Sequence, residues 1–419
     1  MTSRLYYHDS FLYEFEGRVL EFAHAKDSSG TLRPALILDQ SAFYPTSGGQ
    51  PFDTGTLTVA GESPVRVVEV AEDEQGSVQH FVDSRPGWLK AGVAVRGQID
   101  AKRRRDHMQQ HSGQHVLSAA FVRLFNMPTV SFHLGDDYCT IDLDTRALQP
   151  KQLAAAAALA NEVVMEDRPV AVCFADAEEA RARGVRKLPD VSREKLRLID
   201  IHGFDLTACG GTHVRTTGQI GPILLRKVEN VKQGVRVEFI CGARALETAQ
   251  RDYATLTEAA GVFSGHIWQL AELARRSQDE AKAAAKSQQK LLEELAEHHA
   301  RELVREAPAR LKVVRRVIAD RDVAFTKLLA QKIAASGGIA LLASTAGSPT
   351  LAFAQAAGMK SNLGDIMKQV VAQQGGRGGG SKDFAQGGIA DAASAEEALQ
   401  QAERLLYEAI SESPSSRTS

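Results

Sequence analysis

Cysteine is scarce in this chain of 419 residues: Cys139, Cys173, Cys209 and Cys241 stand far apart and form no Cys-x-x-Cys pair. That excludes a disulfide-stapled scaffold and leaves buried thiols or single metal ligands. Long apolar runs are lacking as well. None approaches the ~18–20 residues of a membrane span, so no membrane partner is expected. Met1 to Asp9 lacks the basic-then-apolar layout of a signal peptide, and the expected location is the cytoplasm. Neither sign of charge dominates. A formal net charge of −2 excludes a uniformly basic nucleic-acid binder, so any RNA contact must come from local patches. What is present is ordinary globular composition, 43% hydrophobic and 24% charged, with ample material for packed cores. At the usual ~100–200 residues per domain, two to four domains are expected.

The pattern along the chain divides it into four regions. Residues 1–95 read as β-rich, with strand-like runs at Arg33–Leu38, Thr56–Ala60 and Pro64–Val70 between turn residues. The segment from Phe43 to Gly55 holds too many turn formers to be a regular element. Residues 96–246 look α+β. Val116, Leu117, Ala120, Phe121 and Leu124 fall at helical spacing within 103–125, a second helix is expected over 150–166, and strands over Val170–Phe174, Ile223–Val228 and Val235–Ile240. Residues 247–305 read as a long helix or helical hairpin, with a weak heptad seam through Ile267, Leu270, Ala274, Ala281, Ala284, Leu291 and Leu295. Residues 306–419 alternate strand and helix, with strands at Val313–Ile318 and Ile339–Ala343, a glycine-rich segment from Gly375 to Gly388, and a closing helix near 394–411.

The chemistry concentrates in two short motifs. His111-Ser-Gly-Gln-His115 puts two imidazoles on one face of the expected helix, near enough to share a metal. Alone, such a pair is a weak signal. Much further on, Cys209-Gly-Gly-Thr-His213 again separates two zinc-type donors by three residues. A thiolate with three imidazoles suits Zn²⁺ better than Mg²⁺ or Ca²⁺. The competing reading is a buried thiol among hydrogen-bonded core histidines. Cys139, Cys173 and Cys241 lie in strand-like runs and read as core thiols.

These motifs resemble a family. His111-x-x-x-His115, Cys209-Gly-Gly-Thr-His213-Val-Arg-Thr-Thr-Gly-Gln-Ile-Gly, Gly234-Val-Arg-Val-Glu238 and Cys241-Gly242 look like the editing domain of alanyl-tRNA synthetase and the freestanding AlaX-type editing proteins. The Phe43–Gly55 segment is similar to the Gly-Gly-Gln segment of the small β domain that precedes the editing core, and Gly375–Gly388 to the glycine-rich motif of the DHH-associated domain. Together these motifs run through the chain in the family's order. The resemblance implies a multidomain α+β protein: a small N-terminal β-barrel, an α+β zinc-binding editing domain at 96–246, a helical linker at 247–305 and a C-terminal α/β DHH-associated domain at 306–419. No segment before residue 40 has the length of an aminoacylation domain, so a long AlaX form without the synthetase is expected. One departure is the Ser-Gly-Gln between the first two ligands; Gly113 there weakens a helix by about 1 kcal/mol relative to Ala.

The implied activity is hydrolysis of the ester in tRNA(Ala) mischarged with serine, with the glycyl ester as a second substrate. An apolar synthetic site rejects serine's extra hydroxyl only about a hundredfold, whereas a second site that hydrogen-bonds the hydroxyl can discriminate by ~10⁴–10⁵. One zinc per chain is expected on His111, His115, Cys209 and His213. Whether it activates water or anchors the site is open, since four protein ligands would close a tetrahedral shell. The resemblance implies a Ser or Thr after the first motif as the hydroxyl reader, with Ser131 the first candidate and Thr129 the second. Gln50 is the candidate polar contact from the β domain, and Thr212 a site residue whose plainer role is bonding backbone within its turn. Lys102-Arg103-Arg104-Arg105 before the metal helix, and Arg377 and Lys382 among the C-terminal glycines, are candidate contacts to RNA phosphates. A solvated charge run and a flexible glycine loop are the plainer readings. A homodimer through the C-terminal half, a noncatalytic zinc-stabilised RNA-binding or dimerisation module, and editing of another tRNA such as that for threonine also stand as readings of the sequence.

Overall fold

The computed structural model describes residues 2–85, 87–88, 90–186, 195–232 and 234–411; the polar end of the chain after Ser411 lies outside the described residues. Two compact units form, Met1–Glu258 and Ala259–Ser419. No described helix is long and apolar enough to cross a membrane.

The first unit opens with a closed antiparallel barrel. Its strands run in the spatial order Glu14–Lys26, Leu32–Leu38, Val78–Val82, Val65–Glu72, Gly55–Thr58 and Ala94–Ile99, and the last pairs with the first. Alternation sets the interior: along Ala94–Ile99, Val95 and Ile99 are buried while Ala94, Arg96 and Gln98 are exposed. Val19, Leu36, Leu38, Leu57, Val67, Val70 and Val82 complete the core.

His80 is fully buried at the barrel wall, with Nε2 2.7 Å from Ser41 Oγ and Nδ1 3.0 Å from the Leu36 carbonyl. Burial pushes it down to about 4. The unfolded chain binds a proton there from pH ~6.5 downward, and the folded chain does so only below about 4, so the stabilisation is complete above ~6.5 and lost as pH falls. Acidification across that window is expected to cost about 3 kcal/mol through this residue. Urea denaturation at pH 7 and pH 4.5 should show a smaller pH difference for His80→Gln than for the parent. An equal difference in the two proteins would place the acid sensitivity elsewhere.

Asp100 ends the barrel and caps the helix Ala101–Phe125, its carboxylate accepting from the backbone N–H of Lys102 and Arg103 at 3.0 and 3.1 Å. Asn126, in the left-handed conformation at φ 53°, closes the helix. Val116, Leu117, Ala120 and Phe121 turn inward, as their spacing predicts, whereas Leu124 is 42% exposed. Their partners are Val163 from the helix Pro150–Met165 and Ile141, Leu143, Val237 and Phe239 from an antiparallel sheet. That sheet runs Ile223–Val231, Gly234–Cys241, Cys139–Leu143, Thr129–Leu134. A second antiparallel sheet, Val170–Ala175, Leu196–Ile201, Asp205–Ala208, delivers the chain to the Cys209 motif. Cys139 and Cys241 are buried thiols, as expected; Cys173 is half-buried, 3.4 Å from Arg183 Nη1.

The region expected as one long helix or a helical hairpin contains two helices, Gly242–Val262 and Leu270–Glu306, with Ser264 at φ 52° in the turn between them. The heptad positions Ala281, Ala284 and Leu291 are exposed. The buried face of the second helix comes later, at Ala296, Ala300 and Val304, which pack with Phe325, Leu329 and Ile333.

In the second unit a five-stranded sheet has the order Val313–Ile318, Ile339–Ser344, Thr350–Ala354, Phe384–Gly388, Arg377–Gly380, parallel only in its first pair. Ile339 to Ser344 is buried throughout, because Ile339, Leu341 and Ala343 face the helices Leu363–Gln373 and Ala395–Ser411 while Ala340 and Leu342 face the helices Val323–Ala335 and Leu270–Glu306. The glycine-rich segment is therefore not a loop. It forms the hairpin Arg377–Gly380 and Phe384–Gly388, and its glycines let a helix sit on bare backbone: a Cβ on Gly387 would meet Val371 at 2.6 Å and Met367 Sδ at 2.9 Å. Arg377 and Lys382 are exposed on it.

Candidate metal centre

His111 and His115 lie one turn apart on Ala101–Phe125, and Cys209 and His213 enter from the loop after Asp205–Ala208. One ligand atom from each of the four lies within 4.8 Å of all the others. Cys209 Sγ is 3.4 Å from His111 Nε2 and 3.3 Å from His213 Nε2. Both ring nitrogens of His115 are buried without a hydrogen-bond partner among the described residues. A hydrogen-bonded core histidine would not leave both unpaired; a metal would take one of them. A thiolate and imidazoles at this separation are the donor set of a zinc-type ion.

Electrostatics favours the same use. Burial opposes ionisation of the Cys209 thiol, but His111 beside it holds it well below its ordinary value. Burial pushes His213 down to about 3, which keeps it neutral and able to ligate. At His115 burial pulls downward, yet Asp205 and Cys209 push it up to about 9. A metal taking His115 must therefore displace a proton.

Around these donors stand groups that fix their orientation. Gln50 is fully buried, its Oε1 2.9 Å from His111 Nδ1 and accepting from Thr212 N–H at 3.0 Å, its Nε2 donating to Thr212 Oγ1 at 2.9 Å. Gln50 thus clasps the two ligand motifs together and spends both amide poles doing so. Thr212 is likewise buried and answers Gln50, not the backbone of its own turn. Ser112 Oγ lies 3.1 Å from His213 Nδ1 and accepts from Val214 N–H at 3.2 Å. Asp205 Oδ2 lies 3.8 Å from His115 Nδ1, and Arg186 grips that carboxylate at 2.8 and 2.9 Å. Burial opposes it, but His115 and Arg186 keep the Asp205 carboxyl below its usual range. The Ser-Gly-Gln between the first two ligands is explained: Ser112 orients His213, Gln114 reaches Ser118, and Gly113 is required because a Cβ there would stand 2.2 Å from Cys241 Sγ.

The cluster opens on a cleft of about 430 Å³ whose walls include Gly48, Gly49, His111, His115, Thr129 and Cys209. Sequence reasoning placed Ser131 first as the hydroxyl reader. In the structure Ser131 is exposed at the edge of this cleft and donates to Asp142 Oδ2 at 2.8 Å, a carboxylate also held by Arg236. A register break between Asp142 and Leu143 sets Ser131 opposite the first and Thr129 opposite the second. The extra residue, Val130, turns Thr129 and Phe132 to the helix side. The Phe132 ring is 5.4 Å from His111, and Thr129 Oγ1 is 2.6 Å from Ser118 Oγ.

The basic run divides. Successive helical residues point ~100° apart, so the four cannot share a face. Arg104 is fully buried, with Nε 3.1 and 3.0 Å from the two Asp53 oxygens and Nη1 2.8 Å from the Ser10 carbonyl. It is therefore not a phosphate contact. Arg103 lies against Phe52, donating to its carbonyl at 3.0 Å. Lys102 and Arg105 are exposed and, with Arg66 and Arg103, border a separate cleft of about 840 Å³. Asp53, Ser112 and Asp205 were not singled out from sequence; only the position of Ser112 between two ligands could have flagged one of them.

Three family models match: "tRNA synthetases class II (A)" over residues 3–103, "Threonyl and Alanyl tRNA synthetase second additional domain" over 196–237, and "DHHA1 domain" over 318–408. Among relatives, alanine–tRNA ligase of Pyrococcus abyssi is 34% identical over 417 residues, covering 97% of this chain and 44% of that protein. The ligase of Thermococcus kodakarensis is 33% identical with the same coverage, and that of Halobacterium salinarum 34% identical over 98% of this chain and 44% of its own length. The chain thus spans less than half the length of the curated relatives it matches. Among solved structures, the C-Ala domain of Aquifex aeolicus alanyl-tRNA synthetase matches at 23% identity with a TM-score of 0.21, over 24% of this chain and 90% of that one. Fold, cluster and matched models define a protein built from the accessory domains of an aminoacyl-tRNA synthetase. Along nearly its whole length the chain is related to alanine–tRNA ligases, and it is AlaX-like in the order of its matched parts.

Proposed function

We propose that the chain hydrolyses the ester of tRNA(Ala) mischarged with serine, and more weakly with glycine, at the His111–His115–Cys209–His213 centre. The observation that carries this is the cluster itself, opening on a cleft with a hydroxyl-bearing wall at Thr129. Zinc held by the four donors would supply a Lewis acid in a site shielded from bulk water. Gln50, Ser112 and Asp205 orient His111, His213 and His115. Thr129, bonded to Ser118 beside the cluster, is the first candidate to read the serine hydroxyl; Ser131 also lines the cleft but spends its hydrogen on Asp142. Arg105, with Lys102 and Arg103, and Arg377 and Lys382 in the second unit, contact tRNA phosphates. In this reading residues 1–95 and 96–246 form the editing body, 247–305 link it onward, and 306–419 serve tRNA binding or dimerisation, in the cytoplasm. The matched model that names both threonyl and alanyl synthetases keeps threonine tRNA as a second reading.

Deacylation of purified Ser-tRNA(Ala), Gly-tRNA(Ala), Ala-tRNA(Ala) and Ser-tRNA(Thr) tests this directly. Hydrolysis of Ser-tRNA(Ala) above the other three is expected; preference for Ser-tRNA(Thr) would transfer the activity to the other tRNA. Thr129→Val, which keeps shape and removes the hydroxyl, should slow serine removal by about tenfold and leave glycine removal within about twofold. Ser131→Ala should leave both within about twofold. The reverse pattern would restore Ser131 as the reader.

A further inference from the structure

Gln114 stands between the ligands His111 and His115, is 4% exposed and borders the cleft. Its Nε2 donates to Ser118 Oγ at 2.8 Å, and Ser118 Oγ lies 2.6 Å from Thr129 Oγ1. Its Oε1 is buried with no hydrogen-bond partner among the described residues. A buried amide oxygen is costly to leave unpaired, and native structures rarely do so without a reason. The side chain that carries this orphan acceptor lines the cleft beside the cluster.

We infer that Gln114 is a specificity-determining residue whose Oε1 accepts the hydrogen of the substrate's side-chain hydroxyl while Thr129 donates to the same oxygen. The inference rests on the proposed seryl-ester hydrolysis and adds the group that completes the recognition. Gln114 Nε2 is a donor only, so Ser118 Oγ accepts from it. Either hydroxyl can donate in the 2.6 Å pair of Ser118 and Thr129; with Ser118 as the donor, as proposed, the Thr129 hydrogen is left for the substrate. The wall offers one acceptor and one donor, which is the complement of a hydroxyl. Serine satisfies both. Glycine leaves room for a water that does the same. Alanine's methyl group displaces that water without replacing its bonds, so both wall groups are left unpaired. An α-ammonium, which is common to all three amino acids and only donates, would not use the Thr129 hydrogen.

The experiment compares full-length parent, Gln114→Met and Gln114→Leu. Methionine keeps the length of the side chain and removes both amide poles; leucine covers the case in which one variant fails to fold. Bound zinc, kcat/KM on Ser-, Gly- and Ala-tRNA(Ala), and binding of nonhydrolysable seryl-, glycyl- and alanyl-amide analogues of the terminal adenosine are measured. Serine removal should fall about tenfold, glycine removal stay within about twofold, and alanine removal rise severalfold, with zinc unchanged. The preference of the parent for the seryl over the alanyl analogue should collapse in both variants. Equal losses on serine and glycine, or loss of zinc, would show that Gln114 only shapes the site and overturn the inference. A parent that prefers the seryl analogue, with variants that keep that preference, overturns the inference alone. A parent with no seryl preference overturns the proposed function, and the inference with it.

Discussion

Replacing Cys209 with alanine should lower bound zinc from about one per chain to near none and slow Ser-tRNA(Ala) deacylation by roughly 10³-fold, about 4 kcal/mol of barrier. Three imidazoles remain in that variant, but the only anionic donor is gone. Cys209 Sγ also lies between His111 Nε2 and His213 Nε2, so its loss removes the group that holds those rings in register. The neighbouring variant Asp205→Asn separates ligand from support. Asp205 touches no donor atom expected to bind the ion; it faces His115 Nδ1 at 3.8 Å. Its loss should weaken zinc affinity by about 10–100-fold without abolishing binding, and excess zinc should recover activity. Zinc content by elemental analysis and rates across added zinc distinguish the two. Full activity in verified metal-free protein would dismiss the metal centre, and equal defects in both variants would dismiss the division into ligand and support.

What could be read from sequence here was whatever depends on residue type and short spacing. Two donors three residues apart, repeated once, were enough to assemble the cluster, because a helix turn and a tight loop each present such a pair on one side. Helices over 103–125 and 150–166 and the buried strand at Ile339–Ala343 were legible from periodicity and apolar runs. What was not legible depends on facing. The single inserted residue Val130 puts Ser131 and Thr129 on opposite faces, where a regular strand would give them the same one, and no local pattern announces a bulge. The glycines of 375–388 suggested a loop because glycine breaks regular structure in isolation; here they admit the helix Leu363–Gln373 onto a hairpin, a need visible only once the helix is placed. The heptad seam does not mark the buried face: Ile267 precedes Leu270–Glu306, and Ala281, Ala284 and Leu291 are exposed, so pattern alone did not say what the helix packs against. Gln50 was found by resemblance, while its task, joining His111 to Thr212, needed coordinates.

The second large effect is expected at Arg104, where a run of basic residues hides a joint. Arg104 and Asp53 are both fully buried, and the guanidinium also donates to the carbonyls of Ser10 and Ala42. Asp53 in turn accepts from Tyr44 N–H at 2.7 Å. One ion pair therefore fixes the start of the metal helix to the loop that carries Gln50. Removing the cation leaves a buried carboxylate unpaired, and breaking a buried pair in this way costs about 3–5 kcal/mol. Arg104→Met keeps the bulk of the stem and loses the charge, so packing loss is small and the electrostatic part is isolated. For a unit of this size that cost should lower the melting temperature by roughly 6–20 °C. Adding Asp53→Leu should recover part of the loss, because the stranded carboxylate is then gone; the two changes should be less than additive. Zinc affinity should fall along with stability in Arg104→Met, since Gln50 hangs from the same loop, whereas tRNA affinity measured on zinc-saturated protein should show no loss of salt dependence. In Lys102→Ala or Arg105→Ala the salt dependence should weaken while stability holds. A fully stable Arg104→Met with a shallower salt slope would return Arg104 to the phosphate-binding surface.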